Sequence, residues 1–316
     1  MRIFVTGGSG FIGKALVADL LGRGAEVRNL DLQPPHLPEQ RPHWVQGSVL
    51  DLACVRAELV RFAPTHLIHL AAETSISPSP RGIEADYPIN CGAVQVLAEA
   101  VADLPLERAV LVSTQYVCGP AGGLPQADDH WFPHTDYGQS KVVMEQAARA
   151  FPWPWSIVRP TYVWGPWHLK YFFDVCQTLA AGRYLHPAGA PVVRSYGFVA
   201  STAWTIAEAA LNPVAVGRVI YATDEPEDSY AFVCRLSRAL RGQDIRKVPR
   251  MLLRAVALVG DRWPRIPLNS FRYHAMTTSY PVPWQKSHAL IGAPQVDLDV
   301  GAGVTAQWFH DRARRG

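Results

Sequence analysis

Residues 5–13 read VTGGSGFIG. The stretch before them, Arg2–Thr6 (RIFVT), has the composition of a strand. The stretch after them, Phe11–Gly22 (FIGKALVADLLG), has apolar residues at helical spacing and a glycine stop. A chain that leaves a strand and enters a helix within a few residues turns tightly, and Gly7, Gly10 and Gly13, spaced G-x-x-G-x-x-G, leave room for that turn. They also let a pyrophosphate approach the backbone N–H groups of a helix N-terminus, which side chains there would block. A glycine trio alone is a weak signal; between a strand and a helix it is a strong one.

Strands and helices continue to alternate outward from this turn. Strand-like runs occur at 26–32, 43–47, 66–71, 108–113 and 155–159, with helix-like runs at 50–62, 89–102 and 137–151. This spacing predicts an α/β protein with a Rossmann-type doubly wound parallel sheet. Asp31 ends the second strand, 18 residues beyond Gly13. An acid there accepts both ribose hydroxyls of an adenosine and repels a 2′-phosphate, which favours NAD over NADP. Arg28 precedes the acid within the strand and weighs less.

After Pro160 the pattern loosens, with WGPW at 164–167 and PAGAP at 187–191. Strand pattern returns at 218–223 and helical pattern at 229–240 and 248–260; residues 261–280 read as irregular. The expected division is an NAD-binding domain over 1–165, with a returning segment at about 195–224, and a smaller C-terminal substrate-binding region over 166–194 and 225–316. The run MLLRAVALVG (251–260) is interrupted by Arg254 and is too short to span a bilayer. It is expected to form a buried amphipathic helix.

The chain has 316 residues, enough for one large domain or a two-part enzyme. Its apolar fraction of 48% and charged fraction of 18% suit a soluble globular protein. A net charge of +3 supplies no case for a nucleic-acid or membrane partner. Five scattered cysteines without C-x-x-C argue against a disulfide framework or zinc site and fit a reducing, cytoplasmic setting. The N-terminus MRIFVTGG lacks the apolar core of a signal peptide. Asp128, Asp129, His134 and His168 show no metal-ligand spacing, so no metal is expected.

One further stretch decides between an enzyme and a binding protein. In HTDYGQSKVVMEQ (134–146), Tyr137 and Lys141 stand four apart, on one face of a helix. Spacing alone also describes a solvated helix turn. Lysine is scarce, however, with 5 Lys against 25 Arg, so a chance Tyr-x-x-x-Lys is expected only about 0.2 times in a chain of this composition.

With these residues in place, the chain resembles the extended short-chain dehydrogenase/reductase family, and within it the NAD-dependent nucleotide-sugar epimerase/dehydratase group. The resemblance covers nearly the whole chain and is densest over 1–205. Its elements occur in order: TGGSGFIG (6–13), Asp31, HLIHLAA (66–72), NCGAVQVLAEA (90–100), VSTQYVCG (112–119), YGQSK (137–141), VRPTYVWGP (158–166) and RSYGFV (194–199). It implies an NAD site at Gly7, Gly10, Phe11, Ile12, Gly13, Asp31, Ser48, Val49, Leu70, Ala71, Ala72, Tyr137 and Lys141. It implies catalysis by Thr114, Tyr137 and Lys141, and substrate contacts at Thr74, Thr114, His168, Arg194, which would meet a phosphate, and Tyr196. Ser113 is the fallback for Thr114, since alternation along the strand points it the other way. The phenol, with an ordinary pKa of about 10, is expected to be lowered by Lys141 and by an oxidised nicotinamide. A homodimer through the helices 89–102 and 137–151 is also implied.

Departures from the family narrow the reaction. Dehydratases of the group carry Asp-Glu after the catalytic threonine; here those positions are Gln115 and Tyr116, which argues against dehydration. Gly47-Ser48 stands where many members have Gly-Asp near adenine, and the C-terminal R-P-G-D loop has no clean match, Arg272 being the nearest candidate. The first expectation is therefore an NAD-dependent nucleotide-sugar epimerase acting at C4, with Tyr137 as base. The alternative is a net oxidoreductase of the same fold, a keto-sugar reductase or hydroxysteroid-type dehydrogenase. A non-catalytic NAD-sensing protein is disfavoured by the intact Thr114, Tyr137 and Lys141.

Overall fold

The computed structural model describes residues 1–263, 266 and 268–315. Positions 264, 265 and 267, within the stretch read as irregular, and 316, at the end of the substrate-binding region, lie outside the described residues. The chain divides into two compact units. The first comprises Met1–Val163, Val199–Asp224 and Pro283–Gln295, and the second Trp164–Phe198, Glu225–Val282 and Val296–Gly316.

In the first unit, strands β1 (Arg2–Thr6), β2 (Glu26–Asp31), β3 (Trp44–Gln46), β4 (His66–His69), β5 (Arg108–Val112) and β6 (Trp155–Pro160) join Val219–Ala222 in one sheet. From that last strand the order is β6, β5, β4, β1, β2, β3, and every pairing is parallel. Period-2 alternation sends side chains to two cores. Ile3 and Val5 of β1 join Leu16, Val17 and Leu20 of helix α1 (Phe11–Gly22) and Ile206, Ala207 and Ala210 of the helix Val199–Leu211. Phe4 faces the opposite layer. There it packs with Val55 and Leu59 of α2 (Leu52–Phe62), and with Val94 and Leu97 further along the chain.

The short helix α3 (Ile83–Asp86) leads into α4 (Pro88–Ala100), and α5 (Asp136–Arg149) adds Met144 and Ala148 to that second layer. The strand order reverses between β1 and β4, the switch point at which such sheets open a crevice beyond the strands' C-terminal ends.

The returning segment is longer than the sequence pattern indicates. Pro283–Gln295, assigned above to the C-terminal region, belongs to the first unit. Its helix Trp284–Ile291 satisfies the outer edge of the sheet. Tyr221 N donates to Ser287 Oγ at 2.8 Å, His288 Nε2 lies 3.0 Å from Thr223 O, and Ile291 enters the core.

The second unit contains α6 (Tyr171–Ala180), follows the first unit's α7 (Val199–Leu211) with α8 (Ser229–Arg241), and continues through α9 (Arg250–Gly260) and α10 (Ser270–Thr277). After the first unit's α11 (Trp284–Ile291), α12 (Leu298–Arg315) closes the chain. Buried Trp164 packs against Phe172, Phe198 and Phe232. Two expectations are corrected here. The stretch 261–280 contains a helix, α10, whose N-terminus is capped by Asn269 accepting from Arg272 N at 2.9 Å. Helix α9 is not buried: only Leu253, Ala257 and Gly260 face inward.

Candidate active site

Gly7 adopts φ +77°, and a Cβ there would stand 2.5 Å from Ala71 N, so residues 70–72 pass directly against the glycine loop. Leu70 N donates to Thr6 O at 2.9 Å, which continues the β1–β4 pairing to this point. Helix α1 starts after Gly10 with no side-chain cap, so no side chain competes for its N-terminus. Asp31 stands beside the loop, accepting from Ser9 N and Gln33 N, each at 3.0 Å. Buried Asn29, absent from the sequence-based set, accepts from Gly8 N at 2.8 Å and donates to Ser9 Oγ at 3.0 Å, which fixes the loop's shape. Gly47 N donates to Asp31 O, placing 47–49 beside the acid, but the Val49 side chain lies in the core. An uncapped helix end, a glycine-rich loop and a neighbouring carboxylate fit the diphosphate and ribose of a dinucleotide.

The proposed chemical groups meet at the end of β5. Thr135 caps α5 by accepting from Gly138 N at 3.0 Å, and Tyr137 and Lys141 follow on the buried side of the first turns. Gly138 is required: a Cβ there would collide with Tyr116 O, so α5 approaches the 114–117 turn through bare backbone. Lys141 Nζ donates to Val112 O at 2.9 Å, and the Thr114 side chain lies near enough to Tyr137 to favour its phenolate. Ser113 Oγ is buried and has no partner among the described residues.

The electrostatics differ from expectation. Burial pushes the Tyr137 phenol above its ordinary value, against the lowering influence of Thr114, and neighbouring Tyr116 and Tyr87 add to the rise. Lys141 is not among the groups that lower it. Burial lowers Lys141 itself to about 8, opposed by Glu145, Glu73 and Cys91, and its ammonium is directed at a carbonyl.

The site contains residues that motif reading missed. Tyr116 stacks on His134, with ring centroids 5.3 Å apart, and meets Tyr137 edge-on at 5.9 Å; Tyr87 flanks Tyr137 at 6.3 Å. Asn90, fully buried, donates to Glu73 O and Ser140 Oγ, both at 2.9 Å, tying the loop after β4 to α4 and α5. Glu73 Oε2 accepts from Ile89 N at 3.1 Å. Asn90 opens the quoted 90–100 motif, so it was visible as a position but not as a link. Behind Lys141, Glu145 and Arg159 form a fully buried bidentate pair at 2.8 and 2.7 Å, joined by Trp131 Nε1 at 2.7 Å and Tyr221 Oη at 3.0 Å.

In the second unit, two residues expected to meet substrate have partners within the fold. Arg194 Nη1 donates to Ala275 O at 2.5 Å and Thr278 O at 3.1 Å, so its charge satisfies carbonyls at the end of α10. The Tyr196 ring is buried and stacked on Phe232 at 3.8 Å. His168 is half-buried near Phe172 and is held neutral by burial, its pKa lowered to about 4. Thr74 is exposed on the loop after Glu73. Among the described residues, no group of three or more His, Cys, Asp or Glu is arranged to hold a metal ion.

A profile of the family described as NAD dependent epimerase/dehydratase matches residues 3–187. The chain is 26% identical over 313 residues to a 3 beta-hydroxysteroid dehydrogenase/Delta 5-->4-isomerase of Mycobacterium tuberculosis (strain ATCC 25618 / H37Rv), covering 93% of this chain and 78% of that one. It is 28% identical over 163 residues to a UDP-glucose 4-epimerase of Erwinia amylovora, covering 48% of each. For several other curated relatives the match spans 41% to 55% of their length. The fold is similar to the structure of UDP-glucose 4-epimerase with UDP-glucose from Thermotoga maritima. That comparison gives a TM-score of 0.75 at 19% identity, covering 99% of this chain and 100% of that one.

Proposed function

We propose that this chain, which belongs to the NAD dependent epimerase/dehydratase family, is a nucleotide-sugar 4-epimerase in which Tyr137 removes the proton of the sugar's C4 hydroxyl and later returns it. When bound, NAD supplies the acceptor and donor of the hydride at that carbon. The carrying observation is the joint at the end of β5, where buried Tyr137 stands beside Thr114 and Lys141 is fixed on Val112 O.

Each residue has one task. Thr114 holds the substrate oxygen and steadies its developing charge. Tyr137 exchanges the proton. Lys141, with the cation of the bound cofactor, opposes the burial that raises the phenol. The Tyr116 and Tyr87 rings exclude water from the phenol. Gln115 and Tyr116 carry no carboxyl, so the acid needed to eliminate water is missing. The UDP-glucose 4-epimerases among the relatives support the sugar reading. The pairing of two chains through α4 and α5, and a cytoplasmic setting, belong to the same proposal; sedimentation velocity tests the pairing.

A second reading rests on one observation: the hydroxysteroid dehydrogenase relative aligns along 93% of the chain, where the epimerase of Erwinia amylovora aligns along 48%. It makes the protein a net NAD-linked dehydrogenase of an apolar alcohol. Incubation with UDP-, GDP- and TDP-sugars and with a 3-hydroxysteroid separates the two. The epimerase gives an isomerised sugar with flat absorbance at 340 nm. The dehydrogenase gives a stoichiometric rise with the steroid and no sugar product.

A further inference from the structure

Helix α9 is apolar on nearly every side. Leu253, Ala257 and Gly260, at i, i+4 and i+7, are its buried stripe. On the other side Met251 is 85% exposed, Leu252 55%, Leu258 54% and Val259 42%. At helical periodicity Leu258, Met251, Ala255, Val259, Leu252 and Val256 form one continuous arc of about 160° with no polar residue in it. Trp263, just past the helix, is 67% exposed, and Phe271 of α10 is 56% exposed.

The charge along this stretch of sequence is strongly of one sign. Residues 245–282 contain seven Lys or Arg and a single acid, Asp261, in a chain whose total is only +3, so the rest of the molecule is net negative. Asp261 is exposed at the end of α9; its carboxylate accepts from Ser270 N at 2.9 Å and Ser270 Oγ at 2.5 Å, tying α9 to α10, and Arg262 is near enough to favour its charge. Arg254 and Arg262 are exposed and make no ion pair with any described residue.

We propose that α9, with Trp263, is an interfacial anchor that seats this protein on an anionic phospholipid surface. The apolar arc enters the boundary between headgroups and acyl chains, the arginines extend to lipid phosphates, and the indole lies at headgroup level. A second copy of the chain is a poor occupant, because face-to-face pairing would bring two cationic rims together with only Asp261 of each copy to offset them. The helix lies on the membrane and does not cross it: among the described residues, no helix is long and apolar enough to span one. The modest net charge conceals this patch because it averages over two regions of opposite sign.

The test is co-sedimentation of the full chain with vesicles of phosphatidylglycerol and phosphatidylcholine, and with phosphatidylcholine alone. Binding is expected to the anionic vesicles and to weaken as salt rises. The double variant Met251→Asp, Leu258→Asp abolishes it. The double variant Arg254→Gln, Arg262→Gln weakens it about 30-fold, from roughly a fivefold contribution per cation. Both variants keep the melting transition and the stabilisation by NAD, since their side chains project into solvent. The proposal is overturned by no binding to anionic vesicles at low salt, or by undiminished binding of the Met251→Asp, Leu258→Asp protein. A wild-type dimer that this variant disrupts would assign the face to a second copy and overturn it equally.

Discussion

In the unit built on the parallel sheet, buried polar groups serve one another around the proposed reaction centre. Asn90 links three segments, Glu145 and Arg159 neutralise each other behind Lys141, and Tyr137 meets Thr114. In the second unit the conspicuous polar residues hold the fold together. Arg194 closes the end of α10, Arg250 Nε reaches Ala188 O at 2.9 Å, and Tyr196 is packed on Phe232, while the surface that remains is an apolar helix face. A buried polar network is costly unless complete, so it marks where geometry is fixed. The contrast supports the proposal of proton transfer in the first unit.

The sharpest way to break this contrast is Tyr137→Phe. Turnover should fall by about 10³-fold or more, while stabilisation by NAD in thermal melts stays as in the wild type. Retained turnover would remove the chemistry from the first unit. Next in size is Glu145→Gln, which leaves the Arg159 guanidinium buried without a counter-charge. Urea unfolding should show a loss of about 3–5 kcal/mol, and the double variant Glu145→Met, Arg159→Met should recover much of it.

Lys141 gives a smaller, pH-dependent effect. Its pKa falls from the ordinary 10.5 to about 8 on folding. Between those values the unfolded chain binds more protons at this group than the folded chain does, so its contribution to stability rises with pH across that window. Below about pH 8 the full cost, of order 3 kcal/mol, is present. Unfolding of Lys141→Met should lack this slope between pH 8 and 10.5, while the wild type retains it. The smallest expected effect is in the second unit: Arg194→Ala should cost about 1–2 kcal/mol of stability and change KM for a nucleotide sugar no more than a few-fold. A KM increase of 100-fold would return Arg194 to phosphate binding.

Legibility in the sequence follows the same contrast. Residues 5–13 were readable because a strand, a turn and a helix in so few residues leave the backbone little choice, and the alternation that follows specifies a doubly wound sheet. Thr114, Tyr137 and Lys141 meet because β5 and α5 are each specified locally. Helix α11 was missed because it satisfies a sheet edge formed more than sixty residues earlier. Periodicity told which side of α9 is apolar but not whether anything covers it. Arg194 and Tyr196 matched a motif by residue type, yet their partners come from α10 and α8, and spacing does not reveal such partners. Tyr116, read only as the absence of a carboxylate, is a neighbour of the reacting phenol because of one close approach at Gly138.

The central claim, that the hydroxyl oxidised at Tyr137 belongs to a sugar and is restored on the same molecule, is tested most directly with nucleotide sugar deuterated at C4. The account predicts isomerised sugar that retains the deuterium at C4, with no net absorbance change at 340 nm. Deuterium accumulating in reduced cofactor, with absorbance rising in proportion, would contradict it.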